Sequence, residues 1–138
     1  MFQPRPRRAA AARRGFTLIE LMTVITIMLI LLSIGIPYYR TTVVRAHEAV
    51  LREDLFQMRS LINQYTLDKQ EAPQSLDDLV TAGYLRHLPV DPFTNSSSTW
   101  VPVTDDSLMS VDQQQPGIVD VHSGSRQISL AGTPYSSW

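Results

Sequence analysis

The feature that most constrains the fold of this chain is an apolar run that covers residues 16–36. The run is 21 residues long, and Glu20 carries its only charge. As an α-helix it would be about 30 Å long, close to the thickness of the hydrocarbon core of a bilayer. A carboxylate in hydrocarbon is costly unless it is paired, hydrogen-bonded or protonated. The run therefore predicts a membrane-spanning helix whose single acid has a partner or a function.

Charge is distributed unevenly on the two sides of this run. Five of the 12 basic residues lie in the first 15 positions, which contain no acid, so that 7 basic residues accompany 13 acidic ones in the rest of the chain. The positive-inside rule places such an N-terminus in the cytoplasm and the C-terminal domain across the membrane. The acidic body argues against nucleic-acid binding, which requires a basic surface. The chain has no cysteine and therefore uses no disulfide.

Three kinds of targeting segment compete as explanations of the basic leader. A conventional secretory signal would have a shorter apolar region followed by small residues at the cleavage site, whereas here the alanines 9–12 precede the run. A twin-arginine signal would also have a shorter and less hydrophobic apolar region. A plain signal anchor fits the length and the orientation but does not explain Glu20.

Residues 14–20, Arg-Gly-Phe-Thr-Leu-Ile-Glu, stand where the basic leader meets the apolar run. In this context they resemble the processing site of type IV prepilins and of the pseudopilins of type II secretion. The resemblance implies that a prepilin peptidase cleaves between Gly15 and Phe16 and then methylates the new amino group of Phe16. Glu20 would become the fifth mature residue and would act in assembly, with its carboxylate paired to the N-terminus of a neighbouring subunit.

A proline closes the apolar run at position 37, and a proline at this distance from the cleavage site is common in the same family. Inside a helix, proline removes a backbone hydrogen bond and bends or unwinds the chain. We therefore expect a helix kink at Pro37. In the other reading, Pro37 marks the membrane surface, where Tyr38 and Tyr39 form an aromatic belt.

Residues 40–69 contain neither glycine nor proline, and their apolar side chains recur with helical spacing. The apolar stripe consists of Leu51, Leu55, Met58, Ile62 and Tyr65, widened by Phe56 and Leu61. This pattern predicts one helix from residue 16 to about residue 69 whose second half packs against a sheet. A stripe of arginines on another face is either solvated or a subunit contact, with Glu48 as an exposed partner. These arginines are Arg45, Arg52 and Arg59.

Turn residues end this helix and begin a shorter one. Ser75 is the expected N-cap of a helix over residues 76–82, and Gly83 is the expected C-terminal cap. Residues 88–95, Leu-Pro-Val-Asp-Pro-Phe-Thr-Asn, predict a rigid turn. They also resemble a segment of the major pseudopilins of type II secretion, with phenylalanine and threonine in place of tryptophan and glycine.

The last forty residues contain the strand patterns. The expected strands are 99–103 and 117–122, with 108–111 and 127–129 as candidates for two more. We therefore predict an α+β fold of the pilin type, in which a long N-terminal hydrophobic α-helix packs on a small antiparallel β-sheet. Its expected parts are a cleaved leader (1–15), a transmembrane and filament-core half of the helix (16–39), an amphipathic half (40–70) and a small α/β head (71–138).

The C-terminal loop raises the question of a metal. The resemblance implies a calcium ion held there by aspartates and backbone oxygens, and calcium requires six to eight oxygen ligands. Residues 123–138 contain no acid, and Arg126 and Ala131 stand where aspartates are expected. We therefore expect no metal and no other cofactor. In its place, the Arg126 guanidinium would donate to loop carbonyls, to Asp120 or to Asp112.

Catalytic patterns are absent from the sequence. The three histidines are isolated, since Leu51 occupies the position where a zinc-protease helix starting at His47 would need a second ligand, and His87 and His122 are expected at the surface. The chain is therefore not expected to be an enzyme. The resemblance instead implies a structural subunit of a helical homopolymer in the periplasmic pseudopilus of type II secretion.

The implied location is the bacterial inner membrane, crossed once and in contact with lipid before assembly, with the C-terminal domain in the periplasm. Implied partners are the prepilin peptidase, minor pseudopilins, an inner-membrane platform and an assembly ATPase. Two alternatives stay open: a type IV pilin of a surface fibre for adhesion, motility or DNA uptake, and a membrane-anchored periplasmic domain that never polymerises.

Overall fold

The computed structural model describes residues 15–105 and 116–138. In chain order the elements are α1 (Leu18–Lys69), α2 (Asp77–Thr81), β1 (Val101–Asp105), β2 (Gly117–His122) and a 3-10 turn (Tyr135–Ser137). The strands form a two-stranded antiparallel sheet. The predicted α+β fold of the pilin type, with a long N-terminal helix packed on a small sheet, is confirmed. The chain divides into two compact units, residues 1–39 and 40–138.

The described part of the first unit is the N-terminal half of α1, which we call the stem (residues 18–39). Every stem residue is exposed, and most of the side chains are large and apolar. Leucine, isoleucine and methionine dominate here, and such a run forms a helix that is hydrophobic on all sides. Pro37 lies inside α1, where the helix assignment is continuous. The kink at Pro37 stays a prediction.

The second unit has its core between the C-terminal half of α1 and the sheet. The predicted stripe of Leu51, Leu55, Met58 and Ile62 is buried. It packs against residues that lie in, or directly before, α2, the two strands and the 3-10 turn, namely Leu76, Leu79, Trp100, Ile118, Val121 and Tyr135. The expectation for Phe56 was wrong, because this ring is 70% exposed.

The end of α2 agrees with the sequence-based prediction, whereas its start does not. Gly83 has a left-handed backbone (φ 83°), and the Gly83 and Tyr84 amides donate to the carbonyls of Val80 and Leu79. These bonds form the glycine-dependent helix ending known as the Schellman motif. At the start of α2 the predicted Ser75 cap is wrong. The Asp78 carboxylate instead accepts the backbone N–H of Gln74 and of Ser75, each at 2.8 Å.

The two strands pair across a long connection. β2 has the predicted bounds, whereas β1 starts two residues later than predicted. The paired residues are Val101 with His122, Pro102 with Val121, Val103 with Asp120, Thr104 with Ile118 and Asp105 with Gly117. The candidate strand 108–111 lies outside the described residues. The other candidate forms one isolated bridge, from Ile128 to Pro134, so it closes the C-terminal loop on itself and does not extend the sheet.

Candidate functional site

The start of α1 is capped by its own sequence. The Thr17 hydroxyl accepts the Glu20 N–H at 3.2 Å, and the Thr17 carbonyl accepts the Leu21 N–H at 3.1 Å. Thr17 therefore acts as the N-cap, three residues before an acid, which is the spacing of a capping box. Sequence reasoning missed this role, although the Thr-Leu-Ile-Glu spacing carries the signal. The cap leaves Gly15 and Phe16 outside the helix.

The polar side chains of the stem differ in how they are satisfied. The hydroxyls of Thr23, Thr26 and Ser33 donate to carbonyls of their own helix at 2.7–2.8 Å. These bonds satisfy the hydroxyls without a partner from outside the helix. The Glu20 carboxylate is exposed and pairs with no residue in the described parts of the chain. Among the polar side chains of residues 18–36, Glu20 is thus the one without a hydrogen-bond partner in the described parts of the chain.

The surface around Glu20 is apolar. In the described residues, α1 is the one helix long and apolar enough to cross a membrane, and its most apolar segment has no buried residue. Phe16, Leu18 and Ile19, next to the acid, are each at least two-thirds exposed. Such a continuous apolar surface marks a membrane or protein contact. The stem therefore combines an exposed apolar surface with one charged side chain that has no partner in the described residues.

The arginine stripe contacts the C-terminal end of the same chain. The Arg59 Nε donates to Asp120 at 2.5 Å, and its Nη2 donates to the main-chain oxygens of Val121 and Trp138, each at 2.9 Å. The guanidinium of Arg52 lies 4.3 Å from the centre of the Trp138 ring. For Arg59, which is half-buried, the expected solvated face is wrong, whereas Arg52 stays exposed beside the Trp138 ring. A subunit contact of this stripe stays a prediction. Arg45 is exposed.

The ion pair of Arg59 also changes the acidity of its partner. Partial burial by itself raises the pKa of Asp120, but the Val121 N–H and the Arg59 guanidinium outweigh this effect and hold the pKa below its usual value. Asp120 is therefore a carboxylate at any physiological pH. His122 lies on its other side, with Nε2 at 3.8 Å from the carboxylate.

Glu48 is not the exposed partner of arginines that the helical spacing predicted. It is 5% exposed, and its Oε1 accepts the Leu130 N–H at 2.8 Å and the Tyr135 hydroxyl at 3.0 Å. Burial first, and then the bond to Glu48, raise the pKa of Tyr135 to about 12. Because Tyr135 stays protonated, it remains a donor to the buried carboxylate. The i, i+3 and i, i+4 spacing between Glu48 and two arginines had predicted exposed ion pairs on the helix surface, and that prediction is wrong.

Asp91 is the buried acid of the predicted rigid turn. Its Oδ1 accepts the Phe93 N–H at 2.8 Å, and its Oδ2 accepts the Ser123 hydroxyl at 2.5 Å. The first bond is the local Asx turn that an Asp-Pro sequence favours. The second joins the turn to the first residue of the C-terminal loop. The sequence indicated the turn but not this second contact.

The residues near the C-terminal loop do not fit a calcium ion. The described chain has no cluster of three or more His, Cys, Asp or Glu side chains that could hold a metal. The acids that approach the loop, Glu48 and Asp91, accept N–H and O–H donors. Arg126 is exposed, and Asp120 binds Arg59 and not Arg126. Among the described residues, the expected contacts of Arg126 with Asp120 and with loop carbonyls are not formed. Asp112, the other expected acceptor of Arg126, lies outside the described residues, so that contact stays a prediction.

The histidines show no arrangement for catalysis within the described segments. The His47 ring packs edge-on against Phe93, with ring centres 5.8 Å apart. His122 contacts the main-chain oxygen of Trp138 through Nδ1, and His87 is exposed. The three side chains lie on separate elements and share no acid or nucleophile arranged as a catalytic group.

Comparisons with known proteins agree with the geometry of the stem. The family described as "Prokaryotic N-terminal methylation motif" matches residues 11–36. The chain is 32% identical over 104 residues to the type II secretion system core protein G of Escherichia coli (strain K12), a match that covers 64% of this chain and 72% of the relative. The core protein G of Pseudomonas aeruginosa is also 32% identical, over 65% of this chain and 75% of the relative.

A second group of relatives is matched over a shorter length. The type IV major fimbrial protein FimA of Dichelobacter nodosus is 42% identical over 60 residues, which is 44% of this chain and 38% of that protein. No solved structure matches the chain.

Proposed function

Because the chain belongs to the family of type II secretion system core protein G, we propose that it is a structural subunit, without catalytic activity, that polymerises into a periplasmic filament of type II secretion. The length over which the core G proteins match, about two-thirds of this chain, supports the proposal. The methylation motif at residues 11–36 supports processing of the N-terminus before assembly.

The proposed life of the subunit has two stages. The leader, residues 1–15, is removed between Gly15 and Phe16 by a prepilin peptidase, and the amino group of Phe16 is methylated. Residues 16–39 first cross the inner membrane once, with the N-terminus in the cytoplasm, and later form the filament core. Residues 40–70 and the head, residues 71–138, lie in the periplasm. A membrane platform, an assembly ATPase and minor pseudopilins act with it in assembly.

The assembly proposal depends on one observation, which is that the carboxylate of Glu20 in an apolar helix is unpaired among the described residues. The other polar side chains of residues 18–36 bond within their own helix, whereas the Glu20 carboxylate has no partner among the described residues. The cap at Thr17 uses the Glu20 backbone N–H and leaves the carboxylate available. A cation at the N-terminus of a neighbouring subunit would pair with it in an apolar environment. Such a buried pair specifies register between subunits.

The test replaces Glu20 in a strain that depends on this gene for secretion. We expect Glu20→Gln and Glu20→Val to insert in the membrane and to be processed, but to give at least about tenfold fewer filaments, because a charge-assisted pair is lost. Ser33→Ala is the matched control, since Ser33 is a stem residue whose hydroxyl bonds within its own helix. Filament yield, secretion and the mass of the N-terminal peptide are the measurements. Wild-type filament yield from both Glu20 variants would contradict the proposed role.

The alternative function is that of a type IV pilin in a surface fibre. The match to FimA favours it, but that match covers 38% of the relative, compared with 72% for the E. coli core protein G. Deletion of the gene distinguishes the two functions. Loss of protein secretion with surface fibres unchanged supports the pseudopilus, and loss of surface fibres with secretion unchanged supports the pilus.

A further inference from the structure

We propose that Glu48, Arg59 and Asp91 hold the C-terminal loop, residues 123–138, in its folded position without a metal ion. We call these three residues the clamp. Two of them lie on α1 and the third lies in the turn before β1. The inference concerns the stability of the head and stands independently of filament formation.

Each clamp residue contacts a different part of the loop. Asp91 binds its first residue, Ser123, through a hydroxyl. Glu48 binds its middle, through the Leu130 N–H and the Tyr135 hydroxyl. Arg59 binds its end, through the Trp138 main-chain oxygen. The loop is thus attached at its start, middle and end by side chains that are 32 to 87 residues away in sequence.

The chemistry of these contacts is the reverse of that of a calcium site. Calcium binds through oxygen atoms, mainly carboxylates and carbonyls, and needs six to eight of them. Here the carboxylates of Glu48 and Asp91 point at N–H and O–H donors. The main-chain oxygens of Val121 and Trp138 accept from the Arg59 guanidinium. The oxygens are therefore occupied, and the guanidinium would repel a divalent cation.

Because several clamp groups are buried, the loss of their hydrogen bonds should destabilise the head. Asp91 and Ser123 are fully buried, and Glu48 is nearly so. A buried carboxylate that loses a donor, or a buried donor that loses its carboxylate, pays the cost of desolvation without compensation. Burial first, and then the hydrogen bond to Glu48, raise the pKa of Tyr135, so its hydroxyl keeps the proton that it donates to Glu48. The loop itself has no acidic residue to offer an ion.

The first experiment measures thermal unfolding of the full processed chain in detergent, in EDTA and in millimolar CaCl₂. We expect the same Tm in EDTA and in CaCl₂, because the clamp needs no ion. A Tm that falls in EDTA or rises in CaCl₂ by several degrees would overturn the proposal. This arm uses the wild-type chain, so it gives an answer even if a clamp variant fails to fold.

The second experiment compares clamp variants with matched exposed residues of α1. We expect Glu48→Ala and Arg59→Gln to lower Tm by about 5–10 °C, equally in EDTA and CaCl₂. Glu53→Ala and Arg45→Gln, at exposed positions, are the controls and should change Tm little. Glu48→Gln, which keeps an acceptor oxygen, should recover part of the loss.

Hydrogen exchange distinguishes a specific opening of the C-terminal loop from a loss of stability of the whole head. In Glu48→Gln, the amides of residues 123–138 should exchange faster, while those of α2 should keep the wild-type rate. Equal acceleration in both segments, or a Tm loss in the clamp variants no larger than in the controls, would show that these residues do not hold the loop specifically.

Discussion

Glu48 is a residue whose helical spacing predicts one role and whose contacts show another. Glu48 lies three residues after one arginine and four before another, but its carboxylate is buried and accepts donors from Leu130 and Tyr135. Hydrogen bonds to an ionised acceptor are stronger than neutral ones and offset the cost of burying the charge. The stability of the head should therefore depend on whether Tyr135 can donate.

We predict that Tyr135→Phe lowers the free energy of unfolding by about 1–2 kcal/mol near neutral pH, because Glu48 loses one of its two donors. The pH dependence should change as well. The pKa of Tyr135 is raised from 10.0 to about 12, so its contribution is complete below about pH 10 and is lost as the pH rises through about 12. The wild-type chain should therefore lose more stability over this alkaline range than the variant.

Thermal unfolding from about pH 9 to about pH 12 measures this difference. Tyr39→Phe is the control, since the Tyr39 side chain is 71% exposed. If Tyr135→Phe and the wild-type chain lose stability in parallel across this range, Tyr135 does not titrate in the way its contacts indicate.

Among the elements, β2 depends on a close approach to the segment that follows α1. The Ile118 N–H donates to the Pro73 carbonyl at 2.7 Å, so β2 starts directly beside residues 72–73. A side chain at Gly117 would contact the Ala72 Cβ and would come within 2.8 Å of the Ala72 carbonyl oxygen. The glycine is thus required for the approach of two backbones, and not for a special φ angle.

We predict that Gly117→Ala lowers the free energy of unfolding by about 1–3 kcal/mol, because backbone has to move to make room. Adding Ala72→Gly should recover only part of this loss, since the carbonyl oxygen remains. Gly35→Ala is the matched control, because no atom lies within 4 Å of the added Cβ there. Chemical denaturation measures all three, and a Gly117→Ala variant as stable as the control would contradict the close approach.

For the whole molecule, the division into two units separates a contact surface from a core. All buried core residues in the described chain lie in the second unit, between Leu51 and Tyr135. The stem contributes exposed apolar surface and no buried residue. An apolar environment would therefore stabilise the stem, whereas its own packed core stabilises the head.

We predict that residues 40–138 fold without the stem and without detergent, with a Tm within about 5 °C of the value for the full chain in detergent. The physical reason is that the core loses none of its contacts when the stem is removed. Circular dichroism and thermal unfolding of the fragment measure this. A fragment that shows no cooperative transition would mean that the head needs the stem in order to fold.

Features that depend on local patterns could be predicted from the sequence alone. The long α1, its apolar and amphipathic halves, the bounds of β2 and the glycine ending of α2 follow from hydrophobic period and turn chemistry, which involve residues a few positions apart. The motif around Glu20 is also local, and the family follows from it together with the turn at Asp91. The N-cap at Thr17 could have been read from the same stretch.

The contacts of the charged residues of α1, in contrast, depend on how the head packs. Arg59 and Glu48 meet partners that are 61 to 87 residues away, and no helical period can indicate which distant oxygen or donor will face them. The sequence therefore did not indicate their roles, and among the described residues it is the Arg59 guanidinium, not that of Arg126, that binds Asp120 and main-chain oxygens near the loop. The physical reason is that packing of the sheet and the loop on α1 sets these contacts, and packing involves the whole head at once.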